Sequence, residues 1–187
     1  MTRSKSDVPF VIGHRGAAGL APENTLISLR RARLEGAAWV EFDVKLSRDG
    51  MTILFHDDTL DRTTSGKGPV GALAFELLRK LEAGAWFGAS FAGTRIPTFA
   101  EAIQTLATEN LGANVEIKPN PGEARKTADA VCRLIRDAWP ESVPGPVISS
   151  FDAEAMAVAR NALPGTERAM LFGRLPGDWK RIVEELD

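Results

Sequence analysis

Cysteine and histidine are scarce in this sequence, charges of the two signs nearly cancel, and no long apolar run occurs. Each shortage closes off a class of protein. One cysteine, Cys132, stands alone among 187 residues, so no internal disulfide can form, and its apolar position in a helical pattern marks a buried core thiol rather than a nucleophile. With two histidines in all, a zinc site rich in His or Cys is not expected. Basic and acidic residues number 23 and 25, a net charge of −2, which gives no general attraction to nucleic acid or to an anionic membrane. An anionic ligand must then be drawn in locally. No stretch approaches a membrane span, and residues 1–7 are polar and lead directly into an apolar strand, without the apolar region or small-residue cleavage site of a signal peptide. A cytoplasmic location without stable membrane insertion is expected. Internal repeats and low-complexity tracts are absent as well.

What is present is a globular composition, 44% hydrophobic and 26% charged, long enough to bury one sizeable core. Apolar runs of strand length alternate with segments of helical spacing, the pattern of βα units around a parallel sheet, so the fold class is α/β. Strands are expected over residues 10–13, 39–46, 52–56, 114–118, 147–150 and 168–172. The first helix starts at Asn24 or Thr25, either of which can cap it, and stops at Gly36. Thr98 and Glu101 have capping-box spacing for a helix over 98–109. Further helices follow over 127–138, 153–163 and 178–186, the last with Trp179, Ile182, Val183 and Leu186 on one apolar face. Residues 57–97, rich in Gly, Thr and Ser, break the alternation and read as an insertion or lid, with a helical patch at 75–81 and Trp86, Phe87 and Phe91 in its core. The organisation expected is a flexible tail over residues 1–8 and a single domain over 9–187. A closed eight-stranded barrel takes about 250 residues, so six strands imply a fragment, an open sheet, or a sheet closed by a partner chain such as a second copy.

The period of two in a strand puts Glu41 and Asp43 on one face and Val40, Phe42 and Val44 on the other. Glu116 and Lys118 fall together in the same way, opposite Val115 and Ile117. A half-exposed antiparallel strand with a solvated polar face would give this alternation too. Parallel strands flanked by helices, however, are covered on both faces, and buried charges are paired or hold metals. Oxygen donors from Glu41, Asp43 and Glu116 suit a hard divalent ion, Mg2+ or Ca2+. His14 and His56 each follow directly on an apolar strand, at the end that carries the active site in a barrel, and imidazole can act as acid or base near neutral pH. Arg15 and Gly16 come next after His14: a guanidinium suited to phosphate and a residue that lets the backbone turn around it.

The run His14, Arg15, Gly16, then residues 21–25 (Ala, Pro, Glu, Asn, Thr), Glu41 to Val44, residues 52–57 and Glu116 to Pro119 resembles the glycerophosphodiester phosphodiesterase family of the bacterial cytoplasmic type, in order and in spacing. Asp61, Arg62, Thr63, Thr64 and residues 84–97 look like that family's insertion after its third strand. The resemblance covers residues 10 to about 172. It implies a TIM (β/α)8-type barrel, with about six of eight βα units in this chain. It implies metal-dependent hydrolysis of glycerophosphocholine, glycerophosphoethanolamine and similar small molecules to sn-glycerol 3-phosphate and an alcohol. Carried over residue by residue, Glu41, Asp43 and Glu116 would hold Mg2+ or Ca2+, His14 and His56 would be the acid/base pair, and Arg15 and Lys118 would bind the phosphate. The family's last two βα units are the expected departure.

Three other readings compete. An enolase-type enzyme also mounts carboxylates for Mg2+ on barrel strands, but has no need of a His-Arg-Gly anion loop on its first strand. A phospholipase-like enzyme acting on lipid would need exposed apolar surface, which Trp86, Phe87 and Phe91 alone could supply. A truncated, non-catalytic barrel that binds phosphoesters would fit the short chain, although no ligand position of the motif has been lost.

Overall fold

The computed structural model describes residues 8–186. The tail expected over residues 1–8 therefore lies, apart from Val8, outside the described residues. Five strands form one sheet in the order β2-β1-β3-β4-β5, where β1 is Trp39–Leu46, β2 Thr52–Leu54, β3 Gly112–Ile117, β4 Val147–Ser150 and β5 Glu167–Met170. The steps from β1 to β3, β4 and β5 are parallel, and helices α1 (Leu26–Leu34), α3 (Phe99–Glu109), α4 (Ala124–Ala138) and α5 (Ala153–Ala162) alternate with them, the short α2 (Phe75–Leu78) lying between β2 and α3. This is the barrel-type α/β architecture expected, with the sheet left open among the described residues.

Alternation along the strands sorts side chains into two layers. Val40, Phe42, Val44, Val115, Ile117 and Ile148 join Leu29, Phe99, Ile103, Leu106, Val131, Cys132, Ile135 and Met156 in one buried core between sheet and helices, with the Phe42 and Phe99 rings 5.9 Å apart. The opposite parity places Glu41, Asp43 and Lys45 of β1, Glu116 of β3 and Ser149 of β4 on the other face, and these too are buried. Every residue of β1 is buried. That excludes the solvated polar face and leaves a set of enclosed charges that need partners. Cys132 is buried in the apolar core, and its burial pushes the thiol up to about 11, in keeping with an inert structural role.

Thr98 closes a reciprocal cap on α3: its hydroxyl accepts from the Glu101 amide, and Glu101 accepts from the Thr98 amide at 2.8 Å. Arg79 of the insertion forks onto the same Glu101 carboxylate at 2.7 and 2.8 Å. Thr98→Ala should therefore lower stability by about 1 kcal/mol, read as a shift of the urea midpoint at unchanged slope.

The structure departs from the expected elements in two places, the segment over residues 10–13 and the packing of the last helix, whereas the two strands joined by the turn over 47–50 form as expected. The segment over residues 10–13 forms no strand; it is reduced to a bridge from Gly13 to Val40, with Phe10 fully exposed and Val11 64% exposed. It borders β1 at one end only, and no described strand lies on its other side to extend a ladder or cover its apolar side chains. β2 runs antiparallel to β1, as the return arm of a hairpin through residues 47–50. Finally, α6 (Trp179–Leu186) has the expected amphipathic pattern but buries none of its residues, because it sits at the edge-strand end of the array and packs chiefly on α5. Residues 57–97 pack with β2 and the arm after it around a second core of Ile53, Phe55, Leu60, Val70, Leu78, Ala83 and Ile96. Trp86, Phe87 and Phe91, expected inside that core, lie outside it instead: Trp86 is 39% exposed, Phe87 and Phe91 are half-buried, and the rings pack edge to face in sequence at 5.6 and 5.3 Å. Among the described residues no helix is long and apolar enough to cross a membrane.

Candidate active site

Pairing of β1 with β3 sets Asp43 directly opposite Glu116, and Glu41 lies two residues back on the same face. One carboxylate oxygen from each can be chosen so that all lie within 4.8 Å of one another. Each group takes its hydrogen bond from a different residue. Glu41 Oε2 accepts from the Arg15 amide at 2.8 Å. Asp43 is strapped by the Asn24 side chain, whose Nδ2 donates to Asp43 Oδ2 at 2.8 Å while its Oδ1 accepts from the Asp43 amide at 3.1 Å. Lys118 Nζ donates to Glu116 Oε1 at 2.8 Å and lies 3.6 Å from Asp43 Oδ1.

Two oxygens remain: Glu41 Oε1 and Asp43 Oδ1 are buried without a hydrogen-bond partner. A buried carboxylate oxygen with no donor is costly, and three converging anions add to the cost. Burial, with Asp43 next in size and Glu116 also contributing, pushes Glu41 up to about 8 against the opposing Arg15 amide. An oxygen-only donor set of this kind fits a hard divalent cation, which would satisfy the orphaned atoms and offset the mutual repulsion.

The loop beside the carboxylates is shaped by two left-handed residues in sequence, Arg15 (φ 50°) and Gly16 (φ 85°). A side chain at Gly16 would place its first carbon 2.4 Å from Ser28 Oγ, and that hydroxyl donates to the Arg15 carbonyl and accepts from the Ala17 amide, both at 2.8 Å. Gly16→Ala should cost roughly 1–3 kcal/mol, checked by chemical denaturation. The loop presents the His14 imidazole to solvent, 70% exposed, with Nε2 3.8 Å from Glu41 Oε2. Arg15 points inward: Nη1 donates to Glu23 Oε1 at 2.7 Å, and Nε lies 3.6 Å from Asp43 Oδ2.

His56 comes from the arm after β2, where the Phe55 amide bonds the Asp43 carbonyl at 3.1 Å. Its Nδ1 meets Asp57 Oδ1 at 2.6 Å. The structure thus brings His14, Arg15, Glu41, Asp43, Glu116 and Lys118 into direct or near contact, and joins His56 to them through Asp57, Arg62 and Glu23. An apolar concavity of about 710 Å³ along Pro9, Val11, Ala17, Leu20 and Ala32 shares His14 but none of the carboxylates.

Three further residues bear on the site. Asn24, which the sequence offers as a cap and as part of the motif over 21–25, leaves the cap to Thr25 and straps Asp43 instead. Lys45 shares the parity of Glu41 and Asp43 and is fully buried, donating to Asp58 at 2.7 Å; the period of two pointed to it. Phe151, 52% exposed, sets its ring 5.4 Å from Lys118 Nζ, just past the end of β4, and had no sequence signal.

Residues 14–181 match the family model for the glycerophosphoryl diester phosphodiesterase family. A glycerophosphodiester phosphodiesterase of Caldanaerobacter subterraneus is 36% identical over 167 residues, covering 87% of this chain and 66% of that protein. Human glycerophosphodiester phosphodiesterase 1 is 37% identical over 147 residues, 78% of this chain and 43% of its own length. The chain thus spans 43% to 66% of these two relatives. A solved Oleispira antarctica phosphodiesterase in complex with the product sn-glycerol 3-phosphate superposes with a TM-score of 0.92 at 39% identity, over 96% of this chain and 72% of that one. Most of the chain, including each of the site residues described above, falls within the matched span, and it belongs to the glycerophosphoryl diester phosphodiesterase family.

Proposed function

We propose that the chain hydrolyses glycerophosphodiesters such as glycerophosphocholine and glycerophosphoethanolamine to sn-glycerol 3-phosphate and an alcohol, acting with one Mg2+ or Ca2+ ion on small soluble substrates in the cytoplasm. The observation that carries this reading is the buried set of Glu41, Asp43 and Glu116, with two oxygens lacking donors, next to His14 and Arg15. The product held by the Oleispira relative supports the substrate class.

A phosphodiester is an anion, and attack on it requires that its charge be neutralised. In this reading Glu41, Asp43 and Glu116 would hold the cation, which would supply positive charge to offset that of the phosphodiester and to acidify the attacking hydroxyl or water. Arg15 directs its guanidinium to the phosphate. Lys118 spends one contact on Glu116 and keeps its other donors for a phosphoryl oxygen. His14, beside Glu41, takes the proton of the attacking oxygen, and His56 gives one to the departing alkoxide.

The test is release of sn-glycerol 3-phosphate from both substrates after chelation and again after Mg2+ or Ca2+ is restored. Release that returns with the cation is the expected result. Unchanged release after chelation would remove the cation from the reaction, and no release in any condition would overturn the activity.

A further inference from the structure

Between His56 and Arg15 runs an unbroken series of paired charges that the scheme above does not use. His56 Nδ1 meets Asp57 Oδ1 at 2.6 Å. Arg62 donates through Nε to Asp57 Oδ2 at 2.7 Å and through Nη2 to Asp57 Oδ1 at 2.8 Å. The same guanidinium donates to Glu23 Oε2 and Oε1 at 2.8 and 2.7 Å, and Glu23 Oε1 accepts from Arg15 Nη1 at 2.7 Å. One planar group thus forks onto two carboxylates, a geometry open to arginine and closed to lysine.

Each end of the series has a chemical consequence. The paired donors of Arg62 hold Asp57 well below the usual carboxylate range, against the opposing effect of burial. Asp57 is therefore an acceptor only, His56 Nδ1 carries the hydrogen between them, and Nε2 is the ring nitrogen left free to hold and give the proton that the leaving group needs. At the other end Glu23 is satisfied mainly by Arg62, so Arg15 is fixed at one corner and keeps an unspent donor, its buried Nε. The Arg62 side chain is 45% exposed, and exposed ion pairs contribute little to stability. The root of the segment is pinned independently by fully buried Lys45 on Asp58, so the backbone of residues 56–58 does not depend on Arg62.

We infer that Arg62 is a positioning residue: by bridging Asp57 and Glu23 it fixes the imidazole of His56 and the guanidinium of Arg15 relative to one another, so that the insertion completes the site. The inference rests on the proposed phosphodiesterase activity for its kinetic half and on the geometry alone for the other.

The experiment compares wild type, Arg62→Ala and Arg62→Lys in glycerophosphocholine hydrolysis with the cation present, with and without millimolar guanidinium ion. Alongside, the 15N resonances of His56 are recorded in labelled protein. Arg62→Ala should lose about 100-fold in kcat/KM, with a fall in kcat from His56 and a rise in KM from Arg15, while the urea midpoint barely moves. Guanidinium should restore about tenfold or more to Arg62→Ala and nothing to wild type, and Arg62→Lys should remain impaired. In wild type the neutral His56 should carry its proton on Nδ1; in Arg62→Ala its two nitrogen resonances should converge as the tautomers mix. A kcat/KM within about twofold of wild type, or a loss without guanidinium rescue and with the tautomer unchanged, would overturn the inference. If wild type itself releases no glycerol 3-phosphate, the activity fails and the resonances decide alone: converging signals uphold the positioning role, unchanged ones refute it. Should Arg62→Ala not fold, the spectra and rates of Arg62→Lys serve in its place.

Discussion

Glu41→Ala and Glu116→Ala should each weaken divalent-cation binding by about 100-fold or more, since loss of even an outer contact to a metal ligand costs about 10–100-fold, and should abolish the cation-dependent part of glycerol 3-phosphate release. The pH dependence provides a check that needs no substrate. Glu41 is pushed up to about 8 by burial and by Asp43, whereas an unfolded chain ionises it near its ordinary 4.5. Between those values the cation-free fold keeps a proton that the unfolded chain has released. The stability this contributes is full below about 4.5 and is lost as pH rises through about 8. A cation replaces that proton. Added Mg2+ or Ca2+ should therefore raise the melting temperature more at pH 8 than at pH 6, and calorimetry in buffers of different ionisation enthalpy should detect proton release on binding at pH 7. Glu41→Gln should flatten the pH trend of the cation-free protein. If melting temperature and cation affinity were indifferent to both substitutions, the carboxylates would be a structural cluster and the proposed chemistry would lose its centre.

The strand parity that set Glu41 and Asp43 apart from Val40, Phe42 and Val44 was legible because it depends on one strand alone, as was the cap made by Thr98 and Glu101. The pairing of Asp43 with Glu116 followed once both strands were taken as neighbours. Features that depend on partners distant in the chain were not legible. Arg62 and Glu23 are 39 positions apart, and nothing in either segment announces the other. Residues 10–13 read as a strand from their apolar run, but a strand needs a ladder, and only Gly13 finds one. The pattern of α6 gave its apolar face correctly without saying what would cover it. Asn24 shows the limit most clearly: its left-handed backbone (φ 54°) serves a turn, and its amide serves Asp43, a second use that no local pattern encodes.

His56→Ala should reduce hydrolysis of glycerophosphocholine by about 10²–10⁴-fold yet retain near-normal turnover of a glycerophosphodiester whose leaving group is an acidic phenol. Choline departs as a basic alkoxide and needs a proton as the bond breaks; a phenolate does not, so removal of the acid is felt only by the former. The assignment of this role to His56 follows from the surroundings of the two rings. His14 Nε2 lies 3.8 Å from Glu41, next to the carboxylates that would hold the cation, where the attacking oxygen must lose its proton. His56 is braced at Nδ1 by Asp57, which leaves Nε2 as the free ring nitrogen for the donor role. His14→Ala should then depress both substrates alike while leaving cation affinity largely intact, because no site carboxylate depends on the His14 side chain for a hydrogen bond. Equal losses on both substrates for His56→Ala would transfer the acid role elsewhere, and full activity of that variant on the choline ester would exclude His56 from the reaction.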